Sequence, residues 1–211
     1  MSCFIFDTHF SQQHTLMKQA TLLAAFIAIV SFSVSMPVTT NDQYGIRISG
    51  DTSMMKYSDV REMLQDIIDI TGLQTDIKLK EANVLNIEAS ISHRKRYISY
   101  NPTYIASLNK ITRNKWAVMT LLAHEVGHHL NGHTIRKGGS TPELELEADE
   151  FAGFILQKLG ATLPESQIVM HYISKAKESR THPAKDSRLH AIEKGWNKAA
   201  ASQQVIATAK Q

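Results

Sequence analysis

The chain has 211 residues, 43% of them hydrophobic and 20% charged, with a formal net charge of +3. That length carries one domain with a small extension, and that balance excludes wholesale disorder. The lone cysteine, Cys3, excludes a disulfide framework or a cysteine-built zinc site, and the densest basic cluster, His93–Arg96, is too short for a nucleic-acid surface and reads as a solvated turn.

The first element is an apolar run of about 15 residues, Ala20–Val34, preceded by Lys18. Ser33 and Ser35 supply small residues before a cut at Met36, which is the grammar of a secretory signal. The run is shorter than the roughly 20 residues of a membrane span. Extended to Val38 it becomes an uncleaved anchor, the alternative reading. Met17 followed by Lys18 is the natural start of such a segment. The expected organisation is a signal or anchor over 1–36, a linker over 37–57, a domain over 58–199 and a flexible tail over 200–211. The expected location is periplasmic or secreted, with membrane association only through the N-terminal segment.

Ser58 is placed to cap a helix over 59–71, in which Val60, Met63, Leu64, Ile67 and Ile68 form one apolar stripe and Gly72 ends the helix. Three stretches then alternate with period two, around 77–79, 85–91 and 98–100, and read as strands with one buried face. Pro102 stops the third, which suggests an edge position. A short helix covers 103–109. Asn114 caps a long one over 115–131 that is apolar nearly all round, Trp116 included, and therefore buried. Thr141-Pro142-Glu143 starts the next helix, which Gly160 ends. Two more follow near 164–178 and 184–199, the second carrying Trp196 as a core residue. The sum is an α+β fold with a small, mostly antiparallel sheet packed on a buried helix.

That buried helix carries HEVGHH at 124–129. Residues i and i+4 of a helix lie about 40° apart in azimuth and about 6 Å along the axis, so His124 and His128 present two imidazoles to one point. Glu125 sits on the same broad side, within reach of a metal-activated water. Placed in a core without partners or a metal, these groups would cost several kcal/mol. A catalytic zinc needs a third protein ligand. A third His at the spacing H-E-x-x-H-x-x-G-x-x-H is missing, since Thr134 stands there. The run Glu143–Asp149 offers Glu145 and Asp149, four apart on one face: Glu145 as the third ligand and Asp149 as an acceptor that orients His124. Leu144, Ala148, Phe151 and Ile155 form the core face of that helix, and Glu143, Glu147 and Glu150 a solvated stripe. His129, His133, His171 and His190 have no Glu at motif spacing and read as ordinary structural or surface residues.

His124-Glu-Val-Gly-His128 followed by Glu145-Leu-Glu-Ala-Asp149, and then by Thr181-His182-Pro183 and Arg188, resembles the gluzincin peptidases of the HtpX and CaaX-prenyl-protease type. The resemblance spans about residues 95–192. It implies a zincin-like fold, one zinc ion per chain held by His124, His128 and Glu145, and Glu125 as general base. It also implies that His182 and Arg188 lie near the metal cleft, with His182 stabilising the oxyanion or occupying the open metal position. A helix-start residue and a surface charge are the alternative readings of that pair. The multi-spanning members carry several membrane helices, whereas this chain has no long apolar run after residue 38, so it resembles the small exported or singly anchored members. In the family an edge strand binds the peptide substrate in extended form. The strand Arg96–Asn101 is expected in that place, with Tyr100 or Asn101 orienting substrate or simply packing. The activity implied is zinc-dependent endoproteolysis of misfolded or envelope proteins. The rival is a zinc-bearing, chaperone-like binding protein with latent proteolysis. No nucleic-acid partner is expected.

Overall fold

A computed structural model describes residues 55–136 and 139–208. The expected signal or anchor, and nearly all of the linker, lie outside the described residues. Helix α1, Tyr57–Thr71, buries Val60, Leu64, Ile67 and Ile68, the stripe legible in the sequence. It starts two residues before the expected first turn, because the Asp59 carboxylate accepts from the Lys56 backbone N–H at 2.8 Å. Gly72 ends it at φ 67°, a left-handed conformation that glycine adopts without penalty.

Strands β1 (Ile77–Glu81), β2 (Ile87–Ser92) and β3 (Lys95–Tyr100) form one sheet in the order β1-β3-β2. β3 pairs parallel to β1 and antiparallel to β2. The α+β class is as the sequence implies, but the sheet is mixed rather than mostly antiparallel, and β3 is central rather than an edge. Pro102 does not interrupt a ladder: the strand has already ended at Tyr100, and Pro102 opens helix α2, Pro102–Thr112. The turn between β2 and β3 is only His93-Arg94, both at positive φ, which lets Lys95 and Arg96 join β3.

Helix α3, Lys115–Leu130, is capped by the Asn114 side chain and runs through the core. The sheet lies to one side of it, and helix α4, Pro142–Lys158, crosses the other. The expected helix near 164–178 is two short ones, α5 (Leu163–Gln167) and α6 (Met170–Ile173). The chain after α6 closes on itself instead, with Lys185 N–H donating to the Lys175 carbonyl at 2.8 Å. Helix α7, Lys185–Thr208, continues through most of the expected flexible tail. Its extension docks on the end of α4: Lys158 Nζ donates to Ser202 Oγ at 2.8 Å. α4 and α7 meet backbone to backbone at two glycines. A Cβ on Gly153 would stand 2.0 Å from the Ile192 carbonyl oxygen, and one on Gly195 only 1.8 Å from that of Glu150. Among the described residues, no helix is long and apolar enough to cross a membrane.

Candidate metal centre

The core position of α3 fixes two of the three candidate ligands. His124 and Glu125 are buried, and His128 is half-buried one turn further on. α4 crosses α3 where Gly127 leaves room, its absent side chain replaced by the Phe151 ring and the Ala148 backbone. The first turn of α4 thereby lays Glu145 against the two imidazoles. His124 Nε2 lies 3.0 Å from His128 Nε2 and 3.3 Å from Glu145 Oε2. His128 Nε2 lies 3.5 Å from Glu145 Oε1. An ion with bonds of about 2.0–2.1 Å in tetrahedral geometry, the zinc range, separates its ligands by about 3.4 Å. The donor triangle fits such an ion, and its chemistry, two imidazoles and a carboxylate, is that of a divalent metal site.

Behind this triangle each imidazole has its own support. His124 Nδ1 donates to Asp149 Oδ1 at 2.8 Å. Arg188 clamps the same carboxylate with two bonds, Nε to Oδ2 at 2.7 Å and Nη2 to Oδ1 at 2.8 Å. The bidentate pair is fully buried, so both charges depend on each other. His128 Nδ1 lies 3.0 Å from His133 Nδ1, and His133 Nε2 lies 2.9 Å from Glu147 Oε2. Ser140 Oγ donates to Glu145.

Burial and charge pull these groups in opposite directions. Burial disfavours a charge on His124, yet the Asp149 carboxylate beside it, with Glu145, pushes its pKa up to about 10. Burial would raise Glu145, but hydrogen bonds from His124 and His128 outweigh it and hold the carboxyl well below its usual range. Asp149 is likewise held ionised against burial, by His124 and Arg188. Glu125 has no such partner. Burial dominates and raises it to about 7, although the His124 charge and a bond from the Ala89 backbone work against that rise. Burial lowers His133 and His129.

One cleft of about 460 Å³ contains His124, Glu125, His128, Glu145, His182 and Arg188. Asp149 lies directly behind it. Tyr100 and Asn101, expected at the substrate, are elsewhere. Tyr100 is buried on the central strand and donates to Glu81 Oε1 at 3.0 Å; burial and then Glu81 push its phenol up. Asn101 caps α2 through Thr103 and Tyr104. Neither lines the cleft, because the strand that ends at Tyr100 has a neighbour on each side and Asn101 turns into α2. β2 lines the cleft instead, through Asn86, Ile87, Glu88 and Ala89. Asn101 N–H donates to the Asn86 carbonyl at 2.8 Å, so by antiparallel alternation the backbone groups of Ile87, Ala89 and Ile91 point away from β3. They form an open edge beside Glu125.

His133 and Glu147 were also missed. Glu147 stays on the solvated stripe, its side chain 55% exposed, and His133 comes to it there. Their signal lies in Gly132, whose φ of 74° turns the chain back over the end of α3. His129 is a core residue, its Nε2 on the Tyr97 carbonyl at 2.9 Å.

Residues 61–205 match a protein-family model described as "Putative metallopeptidase domain". No curated protein matches the chain.

Proposed function

The chain belongs to the family of that metallopeptidase domain, and from that premise we propose a zinc-dependent endopeptidase, of the gluzincin type that the HExxH and ExxxD motifs resemble. One observation carries the reading. The donor triangle of His124, His128 and Glu145 stands beside a buried carboxylate outside it, Glu125, and both line a cleft walled by the outer strand β2.

His124, His128 and Glu145 would hold the ion, which would supply Lewis acidity to a water and to the scissile carbonyl. Glu125 takes the proton of the attacking water and returns it to the leaving amine. A carboxylate raised to about 7 is matched to that exchange near neutral pH. Asp149 and Arg188 keep His124 aimed. His182 lines the same cleft, and its role in this reading is to donate to the oxygen that becomes negative. The free edge of β2 pairs with the backbone of an extended substrate and reads little of its sequence. This suits unfolded or misfolded protein segments, and the apolar run at 20–34 suits an exported or anchored enzyme acting on envelope proteins.

The test compares the full chain with Glu125→Gln for zinc content and for cleavage of an unfolded protein. Cleavage is expected to fall by about 100-fold or more with zinc content unchanged. Equal cleavage by both would overturn the role of Glu125. Zinc bound by both with cleavage by neither would overturn the peptidase reading in favour of a protein that holds substrates on its edge strand.

A further inference from the structure

We propose that His133 and Glu147 are positioning residues for the second metal ligand: they fix the tautomer and ring orientation of His128, as Asp149 and Arg188 do for His124. The inference rests on the metal-centre reading above. It stands on the directions that hydrogen bonds can take. A carboxylate only accepts, so Glu147 Oε2, 2.9 Å away, takes a hydrogen bond from His133 Nε2–H. A neutral imidazole carrying its proton on Nε2 has a lone pair on Nδ1. That lone pair lies 3.0 Å from His128 Nδ1, which must therefore carry the proton and donate it. His128 Nε2 is then left with a free lone pair, and this is the atom that faces Glu145 and His124. With His133 neutral, each step has one solution, and the last is the tautomer a metal needs.

Steric constraints act in the same sense. The His133 ring stands edge-on to the His128 ring, centroids 5.0 Å apart at 72°, and its side chain is only 3% exposed. The Gly132 turn and the 3₁₀ segment His133–Ile135 hold it there. α4 thus serves the centre twice: Glu145 reaches it from the front, while Glu147, two residues on, reaches it from behind through His133.

Partners of this kind are worth about 10–100-fold in metal affinity. Zinc affinity of the full chain is to be measured by competition with a chromophoric chelator, together with the ¹⁵N shifts of the His128 ring, which report its tautomer. His133→Leu is expected to weaken zinc binding 10–100-fold and to leave His128 a mixture of tautomers. His133→Gln, whose amide oxygen accepts from His128 Nδ1, is expected to restore much of the affinity. Glu147→Leu is expected to weaken binding less, and to add nothing to His133→Leu, because Glu147 acts only through His133. Unchanged affinity and tautomer in His133→Leu would overturn the proposal while leaving the metal centre intact. If His133→Leu fails to fold, the Gln variant decides: affinity reduced as far as a total loss of the acceptor predicts would overturn it. A parent chain that binds no zinc would overturn the metal centre itself.

Discussion

The cleft has a helical floor and a strand wall, and the two are built on opposite principles. In the floor each candidate ligand is held by a side chain behind it, His124 by Asp149, His128 by His133 and Glu145 by Ser140. His124 is tied to Asp149, Asp149 to Arg188, and α4 to α7 by glycines with no space for a methyl group. In the wall, β2 pairs with a strand along one side only, and along its other side Ile87 and Ala89 turn their backbone groups towards the cleft, with Ala89 bonded to Glu125. Groups that must hold an ion to a few tenths of an ångström sit where packing fixes them. Groups that must accept varied chains sit along the outer side of β2, away from its pairing with β3. The difference predicts that damage to the floor costs stability and metal together, whereas damage to the wall costs only substrate binding.

Asp149→Ala is the strongest test of the floor. It leaves the Arg188 guanidinium, buried and clamped to nothing, inside the protein. Removing one partner of such a pair costs about 3–5 kcal/mol. Urea unfolding of the metal-free variant should show that loss, and zinc affinity should fall with it as His124 loses its acceptor. Stability within about 1 kcal/mol of the parent would mean that water reaches Arg188 and that the floor is not locked as described. Gly195→Ala comes next. Its Cβ would meet the Glu150 carbonyl at 1.8 Å, so α7 must move away from α4. The expected cost is about 3 kcal/mol, the upper end of overpacking. Because Arg188 lies on the same helix, a weaker metal centre is expected to accompany it. Loss of stability with an unchanged metal affinity would show that α7 can move without disturbing Asp149.

What was legible in the sequence divides along the same line. The floor obeys helical spacing, which is local: the i, i+4 pairs His124–His128 and Glu145–Asp149 put the right atoms on the right faces before any tertiary structure is known. The order of strands is not local. Alternation shows that 85–91 and 98–100 are strands but carries no information on which is central, so the edge was assigned to β3 when β2 is the strand beside Glu125. His133 and Glu147 escaped for a related reason. Each lacks a partner at helical spacing, and they meet only because the chain reverses at Gly132. The glycines of α4 and α7 read as weak points within helices, whereas they are where two backbones touch. The start of the tail past residue 200 joins its helix to α4 by long-range bonds, Gln157 to Gln203 and Lys158 to Ser202, which no local period announces.

The wall is tested by a change that spares everything behind it. Ile91 pairs with Arg96 at a position where neither of its backbone groups bonds to β3. Ile91 as a whole is 37% exposed. Proline is tolerated on an edge strand when the lost N–H faces outwards, so Ile91→Pro should keep the sheet and remove one donor from the open edge. Ile91→Ala, which keeps that N–H, separates loss of the donor from loss of the side chain. If substrate pairs with β2 along its length, the proline variant should raise KM over the alanine variant by about five- to tenfold. That is the value of about 1 kcal/mol for one hydrogen bond, and kcat and zinc affinity should stay as they were. A KM equal in the two variants would confine recognition to the stretch from Asn86 to Ala89, directly opposite Glu125. A fall in kcat or zinc affinity would show instead that wall and floor are coupled. Such coupling would run through the Ala89 backbone bond to Glu125.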